Sequence, residues 1–315
     1  MSRLFFVPQL PIKMRYQEWW FTQIPEQLSK YFDKIIVVGE QYAFTEGVSS
    51  GKDFSNIERA IKFECKQVNE FLNYDLGDSD FLLHADLSFP GIFHNVLHHK
   101  QVKNAFVMCH ATSKNKLDYF TPVRNSKEAV ECGHARSYKK VFVASEYHKK
   151  KLGWTNVVNL GALPNPSFKG CNSEKVYPIV SVARHSVQKR TKSIEDAVRK
   201  RYGEIIDAPQ FLEWYGYYDF LGSSECMLIT SKEECYGYQV IDAVINNCIP
   251  IAPRGFSYPE LLPDEYLYSG IDELFEILRW TDGKGVRGLK VPKLLNQEKI
   301  DNFYQNLVME MKDAV

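Results

Sequence analysis

The stretch that decides the fold is TSKEECYGYQVIDAVINNCIPIAPRGFSYPELLPDEYLY, Thr230 to Tyr268. The apolar run Cys226 to Thr230 predicts a buried strand. A polar loop with one flexible residue, Gly237, follows, then a helix over about Tyr238 to Asn246 and a second apolar strand, Ile249 to Ala252, closed by prolines. Two acids, Glu234 and Asp242, stand eight apart, one on the loop and one a little over a turn into the helix. The residues between them open the helix, and N–H groups at a helix start attract anions. Acids suited to sugar hydroxyls therefore flank a place suited to phosphate.

Working outward, YPIVSVARHSVQKRTKSIEDAVRK predicts a strand, Pro178 to Ala183, followed by Arg184 and, five residues on, Lys189. Upstream, RLFFVPQ (3 to 9) and DKIIVVGE (33 to 40) read as strands, with a helix over IPEQLSKYF (24 to 32). A loop at 41 to 60, an amphipathic helix over 56 to 74, and a strand and helix in DSDFLLHADLSFPGIFHNVLHHK follow. NAFVMCH ends an apolar strand on His110, and ligands of open α/β sheets bind at carboxyl ends of strands. KKVFVASEYHKKKLG predicts another strand and a basic helix start, with Ser145 and Glu146 in the turn. Helices are expected over Ile271 to Trp280 and 297 to 313 around a Gly/Lys-rich loop (281 to 290). Alternating strands and helices of this kind predict α/β layers.

At 315 residues the chain accommodates two cores. Apolar content of 44%, charged content of 25% and a net charge of zero fit a globular protein and give no bulk attraction to nucleic acid or anionic membrane. No apolar run reaches the roughly 20 residues of a membrane helix, and MSRLFFVPQLPIKMR lacks a signal-peptide core, so a cytoplasmic protein without stable membrane insertion is expected. Seven cysteines without a C-x-x-C pair predict reduced thiols. Asp78-Ser79-Asp80 spells a D-x-D, but it opens a strand rather than ending one. His94, His98 and His99 have i, i+4 spacing without a third ligand nearby, and a solvated helix face is expected. No metal site is expected.

The Thr230 to Tyr268 stretch resembles the E-x7-E signature of retaining glycosyltransferases with the GT-B fold, especially the family-4 group, whose usual text is close to S-x-x-E-G-F-G-x-x-x-x-E-A-M-A-x-G-x-P-V-I-A. Ser231, Glu234, Tyr236, Gly237, Asp242, Ala243, Pro250, Ile251 and Ala252 carry the likeness. Cys235 replaces the first glycine, Asp242 the second glutamate, and Asn247-Cys248 stand where the family has a small residue and glycine. Arg184-x4-Lys189 matches a pair that in the family meets the donor diphosphate. The likeness covers residues 139 to 270, and the N-terminal half only by layout.

The resemblance implies two Rossmann-like domains facing a central cleft: an acceptor domain over 1–170, a donor domain over 171–295, and a final helix, 296–315, returning toward the first. It also implies transfer of a sugar from a nucleotide-sugar, a UDP-sugar before a GDP-sugar, to a hydroxyl with retention and no required metal or cofactor. Arg184 and Lys189 would stabilise the leaving diphosphate, helped by N–H groups around Cys235, Tyr236, Gly237 and Tyr238. Glu234 would hold sugar hydroxyls, Asp242 the ribose, and His110 the sugar from the opposite wall. FLEWYGYYDF (211 to 220) stands where relatives have a strand ending near the nucleobase, so that Tyr215, with Gly216 and Tyr217, would wall the base or simply pack, and Ser145 and Glu146 would face the cleft.

For the loop LPIKMRYQEWWF two readings stand: Trp19 and Trp20 cap the sheet, or Lys13, Arg15, Tyr16 and Trp19 line the acceptor site. Basic runs at 139 to 151 and 189 to 201 suit a phosphate backbone. Composition resembles viral DNA-modifying glycosyltransferases, which makes a hydroxymethylated base in duplex DNA one acceptor; cell-surface polysaccharide, lipid-linked glycan and a modified tRNA base are others. A nucleotide-sugar epimerase or binding protein shares the same fold.

Overall fold

The computed structural model describes residues 2–46, 57–117, 124–162, 170–183, 186, 188–209, 213–279, 288–292 and 297–315. The chain divides into two compact units, one formed by Met1–Ala144, Lys149–Ser167 and Glu298–Val315, the other by Ser145–His148 and Phe168–Gln297.

The first unit is built on six parallel strands: β1 (Arg3–Val7), β2 (Lys34–Val37), β3 (Phe81–His84), β4 (Ala105–Met108), β5 (Lys140–Val143) and β6 (Val157–Asn159), in the order β2-β1-β3-β4-β5-β6. Central strands such as FLLH and AFVM are buried along their whole length, as expected of a parallel sheet covered on both faces. Between β1 and β3 the order of connection reverses, which is where an open α/β sheet leaves a crevice at its carboxyl edge.

The helix expected at 24 to 32 is corrected to Tyr16–Leu28, so half of the loop LPIKMRYQEWWF expected before it is helical and Pro25 lies inside the helix. Trp20, Ile24 and Leu28, four apart, supply one buried stripe, and its packing outweighs the N–H that Pro25 cannot donate. The loop expected at 41 to 60 is helical over Glu40–Glu46, and 47–56 lie outside the described residues. The amphipathic helix expected at 56 to 74 is Ile57–Phe71. A last helix, Gln297–Lys312, belongs to this unit, with Phe303, Tyr304, Leu307, Val308 and Met311 buried. Lys139 Nζ donates to the Ala314 carbonyl at 2.6 Å and Lys140 Nζ pairs with Glu310 at 2.6 Å.

A polar chain runs through this core. The Leu87 carbonyl can only accept, so His94 Nε2 (2.7 Å) carries the proton there, and His94 Nδ1 accepts from the Tyr138 hydroxyl at 2.7 Å. That hydroxyl in turn accepts from His84 Nδ1 at 2.9 Å. His84 Nε2 then faces Glu64 Oε1 at 3.8 Å, while Glu64 Oε2 accepts from Ile92 N–H at 2.8 Å. Burial pushes the Glu64 carboxyl up to about 7 and, with His134 nearby, the His84 imidazole down to about 3. Both groups are therefore largely neutral near pH 6. His94 also corrects an expectation: it is buried and stacks on His134 with ring centres 4.0 Å apart, and only His98 and His99 lie on a solvated face.

The second unit has five parallel strands: β7 (Tyr177–Ser181), β8 (Ile206–Asp207), β9 (Ser224–Leu228), β10 (Ile249–Pro253) and β11 (Leu267–Tyr268), ordered β11-β10-β9-β7-β8. Here the reversal falls between β7 and β9. FLEWYGYYDF is not the strand expected: the described part is a helix, Trp214–Gly222, burying Tyr218, Phe220 and Leu221, and the strand that pairs with β7 begins only at Ser224. The helix expected over Ile271 to Trp280 spans Ile271–Ile277, and most of the loop at 281 to 290 lies outside the described residues.

Candidate functional site

The loops leaving β7 and β9 emerge side by side at the reversal point of the second sheet and are hydrogen-bonded to each other. Thr191 N–H donates to Thr230 Oγ1 (3.0 Å), Thr191 Oγ1 to the Thr230 carbonyl (2.6 Å), Lys232 N–H to the Gln188 carbonyl (2.8 Å) and Ser231 Oγ to the Lys189 carbonyl (3.3 Å). Arg190 anchors the first loop, with Nε on Glu195 at 2.7 Å and a guanidinium N–H on Asp207 at 2.6 Å. Held this way, Lys189 Nζ reaches Glu234 Oε2 at 2.7 Å, with side-chain exposures of 16% and 12%.

The other Glu234 oxygen accepts from the N–H groups of Cys235 (3.0 Å) and Tyr236 (3.1 Å). Burial alone would raise the Glu234 carboxyl, but the Lys189 ammonium and the backbone donors outweigh it and hold the group below the usual carboxylate range. The turn closes on Gly237, at φ +75°, where an added Cβ would lie 2.3 Å from Leu261 Cδ1. The left-handed backbone favours glycine, and any Cβ would also have to displace the Leu261 methyl. Directly after it the helix Tyr238–Ile245 starts. Asn247, one of the pair standing where the resembled family has a small residue and glycine, sits at φ +55°, a conformation asparagine tolerates.

Asp242, on that helix, accepts from the hydroxyls of Tyr217 at 3.2 Å and Tyr218 at 3.3 Å. Packing around its carboxyl pushes it up to about 7, against the pull of the two phenols. Its one-methylene-shorter reach is thus taken up by the Trp214–Gly222 helix. Tyr215, on the same helix, is 68% exposed. Cys235 and Tyr236 are buried, and the Tyr236 and Tyr238 rings lie 5.1 Å apart. Ser145 Oγ donates to the Cys235 carbonyl at 2.9 Å, and the N–H groups of Glu146 and Tyr147 donate to the Glu260 carboxylate at 2.7 Å each. Arg184 lies outside the described residues.

In the first unit His110 stands just beyond β4 and is buried. Tyr16 stacks on it with ring centres 4.1 Å apart, and Trp20 lies 4.2 Å away on the same imidazole. Trp19 packs in the core, Arg15 is half-buried where the Tyr16–Leu28 helix begins, and Lys13 is exposed. The sequence reading passed over Gln9 and Asp86. They follow β1 and β3 at the reversal point of the first sheet, where Gln9 Nε2 donates to Asp86 Oδ2 at 2.6 Å. Burial pushes the Asp86 carboxyl up to about 8, against N–H groups of Ser88 and His110. An acid directly after the apolar strand FLLHA was the available signal.

Among the described residues no group of three or more His, Cys, Asp or Glu side chains is arranged to hold a metal ion. Asp80 pairs with Arg3 Nε at 2.9 Å and Asp78 with Lys103 at 2.8 Å, so the D-x-D acids engage cations of the chain. Among the described residues no helix is long and apolar enough to cross a membrane.

No protein-family profile matches the chain. In sequence it is similar to a tRNA-queuosine alpha-mannosyltransferase from Drosophila melanogaster, 24% identical over 127 residues, which are 40% of this chain and 31% of that protein. The match thus spans about a third of the length of that curated relative. In structure it is similar to sucrose-phosphate synthase from Thermosynechococcus elongatus (TM-score 0.65, 13% identity) and to the lipopolysaccharide outer core galactosyltransferase WaaB (0.59, 13%). A trehalose-6-phosphate protein from E. coli bound with UDP-2-fluoro glucose is similar too (0.64, 11%), and all three likenesses cover the full length of both chains. Two parallel sheets with alternating helices, matched end to end by these structures, give the chain the GT-B glycosyltransferase fold.

Proposed function

We propose that the protein is a retaining glycosyltransferase that moves a sugar from a nucleotide-sugar, a UDP-sugar first, to a hydroxyl acceptor. The observation that carries this reading is the partly buried Lys189–Glu234 pair, set by two interlocked loops at the reversal point of a GT-B sheet. In the reaction the bond from the anomeric carbon to the diphosphate breaks, a bond to the acceptor oxygen forms, and the acceptor proton leaves with the diphosphate. Negative charge grows on the departing oxygen, and a fixed cation in a partly dry site lowers that barrier. Lys189 supplies that charge, with Arg184 as its partner in the resembled family. Glu234 orients sugar hydroxyls, Asp242 with Tyr217 meets the ribose, and Tyr215 flanks the base. His110, walled by Tyr16 and Trp20, is assigned to the sugar, and Lys13, Arg15, Trp19, Ser145 and Glu146 to the acceptor.

For the acceptor, the similarity to a tRNA-queuosine alpha-mannosyltransferase favours a hydroxyl of a modified tRNA nucleoside. A hydroxymethylated DNA base takes second place, because Lys139, Lys140, Arg190 and Arg199 of the basic runs engage carbonyls or acids of the chain itself. The test is a thermal-shift panel of UDP, GDP, ADP and CDP and their sugars, with and without magnesium, followed by nucleoside mass analysis of tRNA and hydroxymethylated DNA incubated with the donor that shifts. A stabilising diphosphate and a hexose-sized gain on tRNA are expected. No shift with any diphosphate removes the transferase reading, and a gain only on DNA removes the tRNA reading.

A further inference from the structure

The position that suits a phosphate in the second unit is filled by the chain's own carboxylate. Glu234 gives one oxygen to Lys189 and the other to the Cys235 and Tyr236 N–H groups that lead into the Tyr238–Ile245 helix. These are the donors an incoming phosphoanion would use: an ammonium with little exposure and backbone N–H groups at a turn. None of them is idle in this state, so an anion can enter only by exchange.

We propose that Glu234 acts as a built-in stand-in anion, locking Lys189 until a diphosphate takes the ammonium and frees the carboxylate for sugar hydroxyls. This inference rests on the donor reading above and adds a resting state to it. The exchange is physically reasonable because each partner is already desolvated. Removing one member of such a pair would leave a buried charge uncompensated, whereas swapping one anion for another keeps the ammonium neutralised throughout. The Thr191–Thr230 and Lys232–Gln188 hydrogen bonds hold the backbone on both sides, so the exchange needs only side-chain rotation. A nucleotide-sugar supplies both halves of the replacement, diphosphate for Lys189 and hydroxyls for Glu234. A diphosphate lacking the sugar supplies one and leaves the carboxylate facing its charge.

The consequence is counterintuitive: a substitution that abolishes transfer should tighten diphosphate binding. Isothermal titration of pyrophosphate and of UDP, GDP, ADP and CDP into the wild type, Glu234→Gln, Lys189→Met and the double variant tests it. With the lock, Glu234→Gln binds the cognate diphosphate about tenfold more tightly than the wild type. That gain disappears in the Lys189→Met background, because it depends on the released ammonium. Simple removal of a repelling charge predicts instead a gain that persists without Lys189, and that result overturns the lock. Unchanged or weaker binding in Glu234→Gln overturns it as well, while leaving the donor reading standing. Absence of diphosphate binding in all four proteins overturns both.

Discussion

Replacing Glu64 by Gln should make the protein more stable at alkaline pH while changing little in acid. The Glu64 carboxyl is 2% exposed, and burial lifts it from 4.5 to about 7 in the folded chain. An acid whose folded pKa is raised contributes stability that is complete below its unfolded pKa and is lost as pH rises through the folded one. At about 1.4 kcal/mol per tenfold change in dissociation, the full loss is about 3 kcal/mol, of which about 2.5 kcal/mol falls between pH 5 and 8. Gln reproduces the neutral acid: its carbonyl can accept from Ile92 N–H and its amide can donate toward His84 Nε2, which the Tyr138–His94 chain leaves as a lone pair. The charged neighbour that pulls the other way is Lys127. Asp86, His84, His94 and His134 titrate abnormally as well, but they are common to both proteins and cancel in a difference. Urea unfolding of both proteins at half-unit intervals from pH 5 to 8, followed by tryptophan fluorescence, gives that difference directly. It should grow in favour of Glu64→Gln by about 2.5 kcal/mol, centred below pH 7. A flat difference, or a variant that is weaker at pH 8, would refute the neutral-acid account.

Gly237→Ala should lower stability by on the order of 2 kcal/mol, because a Cβ there is both left-handed and 2.3 Å from Leu261; unaltered thermal melting would contradict the turn geometry. Arg190→Met should cost about 2 kcal/mol by leaving the buried Glu195 with only Arg199, 3.6 Å away, as a cation, read as a fall in the urea midpoint. Lys189→Ala is expected to lower transfer by at least a hundredfold, and equal initial rates in the two proteins would remove Lys189 from the chemistry. Tyr217→Phe should raise the Asp242 carboxyl further, since a donor that favours its ionised form is lost, and an NMR titration of Asp242 that does not move upward would exclude that hydrogen bond.

The α/β class and the GT-B layout were readable because buried parallel strands such as AFVM and KVFV spell themselves out as short apolar runs. Lys189 and Glu234 were named from their resemblance to family motifs, although nothing in those motifs says that the two side chains touch. Two helices were misread for opposite reasons. Pro25 looks like a helix start, and only the buried stripe of Trp20, Ile24 and Leu28 reveals that the helix begins about one turn before Trp20 and runs through the proline. The tyrosines of 214 to 222 favour strand by propensity, but packing of Tyr218 and Leu221 on the second core makes them helical. What stayed hidden depends on pairs far apart in the chain. Gln9 meets Asp86, and His84 meets Tyr138, across separations of 77 and 54 residues. No local pattern records such meetings, so although an acid directly after FLLHA marks the position of Asp86, neither its bond to Gln9 nor the His94–Tyr138–His84 chain could be read in advance.

The Gln297–Lys312 helix closes the unit that residues 1 to 144 and 149 to 167 begin, while most of the chain between 167 and that helix builds the other unit. During synthesis from the N-terminus, this order imposes a wait. At 5–20 residues per second, the roughly 170 residues between Ala144 and the end of that helix take about 10–30 s to emerge. Throughout that interval Lys139, Lys140 and the surface destined for Phe303, Leu307 and Met311 have no cover. The second unit can fold as soon as it leaves the ribosome; the first, although translated earlier, finishes last. A nascent chain of this protein therefore carries an open apolar flank for most of its translation, and it is there that a chaperone would find it.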